Sequence, residues 1–325
     1  MRPEFLSPAA ILFLLSLIIA PIVSVPLPAA ADVCAKWSEA KKAGTLDYLR
    51  IDEASGVAVS AKFPGRLYHI NDSGGGPYFY ITNMDGGNTK AVRIEGYDSK
   101  RLDFEDMGTG ECGPGKSCVF IADIGDNWKR RDYAEIIAVE EREDFRSTVK
   151  PFKRIKIAYP DGPHNAEGLA VHPGGDIFIL TKEEKRDYTD AYPARLYRLP
   201  RDKWQNAGDG IIKPEYMGEI DFPSLLPGAS PLGHVVTSFD IAPDGRKFIV
   251  LTYERAVEFG IDLSAGALPP TPKMKEGKDY RVIEIMSLPQ QESIAYVDGG
   301  SGFIYDTEHH LFEVPIMRVD CVGGE

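Results

Sequence analysis

The sequence has no GxSxG elbow, no Walker-type glycine loop, no HExxH and no CxxC. A serine hydrolase, a P-loop enzyme, a zincin and a thiol oxidoreductase therefore lack support, since each needs its reactive groups at those spacings. A basic excess is missing too: 37 Lys and Arg stand against 49 Asp and Glu, a formal net charge of −12. So negative a surface repels polyanions, and nucleic acid is not an expected partner. Beyond residue 31 helical periodicity is almost absent (35–43 is the one candidate), and no low-complexity linker divides the chain. The apolar run 9–20 is followed by Pro21, Pro26 and Pro28, so a membrane span of about 20 residues is not expected.

Arg2, the apolar run and Ala29, Ala30 and Ala31 read instead as a signal peptide over 1–31, with a single domain over 32–325. Val33 is too bulky before Cys34 for a lipoprotein anchor. The expectation is a secreted or periplasmic protein, monomeric, in an oxidising compartment where four cysteines pair. Cys112 and Cys118 enclose the turn GPGKS, leaving Cys34 and Cys321 to join the two ends of the mature chain. A four-thiolate metal site lacks the spacing.

What is present is a repeat. The stretch 167–182, EGLAVHPGGDIFILTK, reads as strand, Gly/Pro turn and apolar strand, and it recurs from Ser55, Glu105, Thr237 and Glu292. The five openings are spaced by 50, 62, 70 and 55 residues. Repeats of about 40–60 residues made of short strands predict an all-β propeller, here with five blades; six is the alternative if a blade hides in an irregular stretch. Segment 45–51 (TLDYLRI) has no partner of its own, while the last repeat supplies three strands. The N-terminal strand is therefore expected to complete the last blade and close the ring without an open edge.

First strands of blades line the central channel. Aligning them places Ser55, Glu105, Glu167, Thr237 and Glu292 at one level. Three carboxylates close together cannot all ionise in a dry channel; their pKa values rise or a cation sits among them. Every donor is oxygen, which points to calcium on the axis. The second strands end at Asn71, Asp123, Thr181, Thr252 and Thr307, followed by Asp72, Ile124, Lys182, Tyr253 and Glu308, at the same mouth. Loops around it carry Asp126, Asn127, Trp128, Lys129, Arg130 and Arg131, and Lys182, Lys185, Arg186 and Arg195. These cations could receive a phosphate or carboxylate, so a small-molecule or phosphorylated ligand is the expected partner. His164 and His234 each stand three residues before a ring member.

The order hydroxyl, acid, acid, hydroxyl, acid in this ring, the segment NDSGG at 71–75 and the basic loop TKEEKRDYTDAYPAR resemble the calcium-activated nucleotidases (apyrases). That resemblance implies a five-bladed propeller with one axial calcium, phosphoanhydride hydrolysis, and Asp72 orienting the attacking water. The chain departs from the family in having Thr237 where Ser is usual, and Gly74 or a nearby Gly in place of the arginine of DDRTG. NDSG, FED and DIGDN also resemble a group of uncharacterised bacterial secreted propellers, more closely, and that likeness implies no activity. Three functions follow as expectations: a calcium-dependent phosphohydrolase with Asp72 catalytic and Asn71, Asp123, Asp126, Asn127, Arg130, Lys182, Arg195 and Tyr253 binding substrate; a non-catalytic binding module with structural calcium; or a glycosidase using two ring carboxylates.

Overall fold

The computed structural model describes residues 33–97, 102–185, 189–308 and 313–323; the expected signal peptide and Arg186 lie outside the described residues. The first strand, β1 (Lys41–Thr45), is followed by blade one, which runs β2 (Ala54–Val59), β3 (Arg66–Asn71), β4 (Tyr78–Asn83) and β5 (Lys90–Ile94). Blade two has β6 (Phe104–Gly113), β7 (Lys116–Asp123), β8 (Ala134–Glu140) and, after the short β9 (Thr148–Val149), β10 (Lys153–Ile157). Blade three has β11 (Ala166–Val171), β12 (Ile177–Thr181), β13 (Ala194–Leu199) and, after helix α1 (Arg201–Asn206) and β14 (Ile211–Ile212), β15 (Glu215–Ile220). Blade four has β16 (Val236–Ile241), β17 (Phe248–Thr252), β18 (Arg255–Phe259) and β19 (Tyr280–Glu284); blade five has β20 (Gln291–Val297), β21 (Gly302–Thr307) and β22 (Pro315–Asp320). These form five separate sheets, one per blade, so the chain is a five-bladed propeller.

The reason for a ring is visible in the second strands. A strand sends alternate side chains to opposite faces. In β17, Phe248 and Val250 pack towards blade three, while Ile249 and Leu251 pack towards blade five. In β12, Phe178 and Leu180 face blade four, and Ile177 and Ile179 face blade two. Each strand is apolar on both faces because each blade is sandwiched between two others. The apolar core is accordingly five clusters, one at each blade junction, with clusters between blades one and two and between five and one completing the circle.

Closure combines the two ends as expected, with a different segment. β1 lies outermost in blade five, antiparallel to β22, pairing Lys41 with Arg318 and Thr45 with Pro315. The expected strand 45–51 turns at 48–50 instead, and its apolar Leu46 and Ile51 are buried between blades one and five. Those two residues imitated a strand; the true strand KKAGT has mostly exposed side chains and so no apolar signature. The helix candidate 35–43 is overturned by the same strand. Helix α1, absent from the sequence reading, holds its place through the buried Trp204, whose indole N–H donates to Gly175 O at 2.9 Å. Disulfides join Cys34 to Cys321 and Cys112 to Cys118, as expected.

Inner strands have one edge with no strand partner, facing the channel. Side chains from neighbouring blades satisfy it. Asp106 Oδ2 accepts from Leu169 N (2.9 Å) of blade three and from Phe239 N and Ser238 Oγ (both 3.2 Å) of blade four. Ser238 Oγ accepts from Ile294 N, and Asp240 Oδ2 from Tyr296 N, both in blade five. Asp106 thus ties three blades across the axis.

Candidate functional site

All five ring positions occupy the same irregularity. Each inner strand skips its second residue in pairing with the second strand, and these skipped residues are Ser55, Glu105, Glu167, Thr237 and Glu292. A bulge inserts one unpaired residue and re-aims its side chain. Five bulges at one level set five oxygen-bearing side chains at one mouth of the channel, and all five are buried. In the adjacent pair Glu105–Asp106, Glu105 takes the bulge and faces the mouth, while Asp106 binds the inner strands.

Residues one position beyond the second strands complete the funnel. Lys182 Nζ lies 3.0 Å from Glu167 Oε1 and donates to Tyr253 OH at 3.1 Å; Tyr253 OH donates to Glu292 Oε1 at 2.7 Å. Asp72 is shared by two acid groupings: one ligand oxygen each of Asp72, Asp103 and Glu105 lie within 4.8 Å of one another, and likewise of Asp72, Glu292 and Glu308. Six carboxyls surround one ammonium. Gly125 lies against them: a Cβ there would be 2.0 Å from Glu105 Oε1 and 2.5 Å from Asp103 Oδ2, so a larger residue would push both carboxylates aside.

The electrostatics follow. Burial, then the neighbouring Glu167, Asp72 and Asp103, pushes the Glu105 carboxyl well above its ordinary range. Burial also raises Asp72 and Asp103, each opposed in part by Lys182. Glu292 is pushed up to about 8 by burial, against Lys182. For Lys182 burial favours the neutral amine, yet Glu167, Tyr253, Glu292 and Glu105 outweigh it and hold the ammonium well above the usual lysine range. The lysine therefore stays charged while the carboxyls compete for protons. Thr237 Oγ1 is buried here without a hydrogen bond, whereas Ser55 Oγ donates to Glu105 O at 2.9 Å.

The other expected binding residues serve the loops. Asn71 Nδ2 donates to Arg50 O and Asp52 Oδ1; Asp123 Oδ1 accepts from Asp103 N and pairs with Arg131 at 2.7 Å. The Thr181 hydroxyl accepts from Arg195 N, the Thr252 hydroxyl donates to Arg255 O, and the Thr307 hydroxyl donates to Gln290 O. Asp126 accepts from Arg130 N and Arg131 N, shaping its own loop. Arg195 pairs with Asp161, and His234 with Asp190 at 2.9 Å. His164 is held by Glu183 at 2.8 Å and by Asp161 and Tyr197, both at 3.2 Å.

Sequence reasoning missed Asp103 and Asn165. Asn165 links the funnel to the blade-two loop: its amide nitrogen donates to Asn127 Oδ1 (3.0 Å) and Glu167 Oε1 (3.4 Å), and its oxygen accepts from Asp126 N (2.7 Å). Its position two residues before the bulge was the available signal. Asp103 stands likewise two residues before Glu105.

No family model and no curated protein matches the chain. Among solved structures it is similar to the Pan2 WD40 domain of Neurospora crassa, at 8% identity and a TM-score of 0.34, covering 84% of this chain and 64% of that one. The five-bladed fold accordingly rests on the sheets described above. The comparisons give no support for the nucleotidase resemblance.

Proposed function

We propose that the chain is a cation-binding propeller, a non-catalytic ligand-binding module whose mouth takes one divalent cation of the calcium class. The carrying observation is the triad Asp72, Asp103 and Glu105 beside the cradle left open by Gly125. Three hard oxygen donors with like, mutually repelling charges suit a cation with flexible coordination, and binding one relieves the repulsion that raises Glu105. Of the expected five-member axial set this keeps Glu105 and adds Asp72 and Asp103 from outside it, since Ser55 is bonded to backbone and Glu167 is paired with Lys182. A bound cation would tie the 72–76 turn of blade one to the 103–105 and 125–127 segments of blade two.

A phosphohydrolase needs positive charge facing its substrate. In the mouth loops Lys129, Arg131 and Arg195 are each paired with a carboxylate, and Lys182 is enclosed by Glu167 and Tyr253. The binding module is the better supported of the expected functions. Its two disulfides fit an oxidising compartment, so we place it outside the cytoplasm.

Thermal melting in calcium and in chelator tests the reading. At calcium about 100-fold above Kd the linkage is about 2.7 kcal/mol, a rise of roughly 4–5 °C for a domain of this size. Glu105→Gln should abolish that rise and keep the melting temperature in chelator. An equal rise in both proteins would refute the site.

A further inference from the structure

The channel has a second end, away from the funnel. The residues four positions beyond the bulges are Val59, Thr109, Val171, Ile241 and Tyr296, one from each blade. All five line a cavity of about 490 Å³. That size lies within the range of small-ligand pockets. One position nearer the funnel the inner strands carry Ala58, Gly108, Ala170, Asp240 and Ala295. Four of these are small and leave room on the axis. Blade four alone places a charged group there.

The other polar groups of the lining are committed. The Thr109 hydroxyl donates to Val59 O at 2.7 Å, the Tyr296 hydroxyl to Glu258 Oε1 at 3.1 Å, and the Ser60 hydroxyl to Glu141. Glu111 pairs with Arg201 at 2.7 Å, and Asp298 pairs with Arg318. Among the described residues no lysine or arginine lines the cavity; Lys247, against the Tyr296 ring, is spent on Glu258 at 2.8 Å. Asp240 differs from all of these. It lines the cavity and is partly exposed, and its neighbours are backbone amides: Oδ1 accepts from Ile241 N at 2.8 Å and Oδ2 from Tyr296 N at 2.7 Å. A carboxylate offers about four lone-pair sites, so each oxygen can accept once more. Burial without a counter-ion pushes this carboxyl up to about 7, a penalty that a bound cation removes.

We propose that this end of the channel binds a small organic ammonium ion, its head donating to Asp240 and its compact apolar body lying within the ring of Val59, Val171 and Ile241. One carboxylate among apolar walls supplies too few oxygens for a metal ion, and an anion would meet only like charge. The site is separate from the cation funnel: Asp106 and Ser238, joined at 3.2 Å, lie between the two ends.

The test is calorimetric titration of the whole protein with cyclohexylammonium at about pH 8, where Asp240 is ionised, once in chelator and once in saturating calcium. One saturable event per chain, of equal affinity in both, is expected. Binding lost in calcium would place the amine in the funnel and overturn the proposal. Cyclohexanol, lacking the charge, and ammonium chloride, lacking the apolar body, should each bind at least about tenfold more weakly. Asp240→Asn should weaken cyclohexylammonium at least about tenfold. Should that variant fail to fold, Val59→Phe decides: filling the ring should weaken the amine at least about fivefold. No saturable binding, equal affinity for cyclohexanol, or unchanged affinity in a folded Asp240→Asn or in Val59→Phe would overturn the proposal.

Discussion

Replacing Asp106 by alanine should be among the most damaging single changes in this fold, although it touches no apolar cluster. Its Oδ2 accepts from Leu169 N at 2.9 Å and Phe239 N at 3.2 Å, and its Oδ1 from Met107 N at 2.8 Å. Removing the side chain strands two amides belonging to other blades. At about 1–3 kcal/mol for each unsatisfied group, the cost is about 2–6 kcal/mol. Part is returned, because burial pushes the Asp106 carboxyl well above its ordinary range and that burden disappears with it. A net loss of about 2–4 kcal/mol is expected, read as a shift of the denaturant midpoint at constant slope near pH 7. Asp106→Asn should lose less, since an amide oxygen can still serve blades three and four. The neighbouring Glu105→Gln, in chelator, should be neutral or stabilising, because Glu105 is opposed by three carboxyls. A loss below about 0.5 kcal/mol for Asp106→Ala would refute the idea that this carboxylate closes the inner edges.

Burial pushes Asp240 up to about 7, so between the ordinary carboxylate range and pH 7 the folded state holds a proton that the unfolded chain has released. Stability contributed there falls as pH rises, and Asp240→Asn should flatten that part of a stability–pH profile measured by denaturation. Gly125→Ala should destabilise by about 1–3 kcal/mol and lower calcium affinity in calorimetry, since its Cβ would meet Glu105 at 2.0 Å. Cutting the Cys34–Cys321 disulfide by Cys34→Ser/Cys321→Ser frees a loop with a sequence separation of 287 and should cost about 5 kcal/mol in thermal unfolding. The Cys112–Cys118 pair, separated by 6, should cost about 2 kcal/mol.

Much of this architecture was legible because propeller strands repeat. The openings at Ser55, Glu105, Glu167, Thr237 and Glu292 share one pattern in the sequence, and they align in space as five bulges. The second strands are apolar on both faces, as strands packed between two blades require. The closing strand was illegible: Lys41 and Lys42 face solvent, whereas Leu46 and Ile51, which looked like strand, plug a blade junction. Within the site, alignment set the level of Lys182 but carried nothing about its direction. A side chain ranked with the substrate-binding loops is the internal counter-ion of Glu167. Asp103 and Asn165 both stand two residues before a bulge, a repeat position that also holds Glu53 and Gln290, so the signal was present in the alignment but one register outside the ring that was read. Arg195 looked like a mouth cation and is tied to Asp161, a pairing between positions 34 residues apart that spacing does not reveal.

The central claim is that Asp72, Asp103 and Glu105 form one cation site. Calorimetric titration of calcium into metal-free protein, beside Asp72→Asn and Asp103→Asn, tests it most directly. One bound calcium per chain, with affinity reduced at least about tenfold in each variant, is the expected result. No binding heat in the parent, or binding that survives both substitutions unchanged, would contradict it.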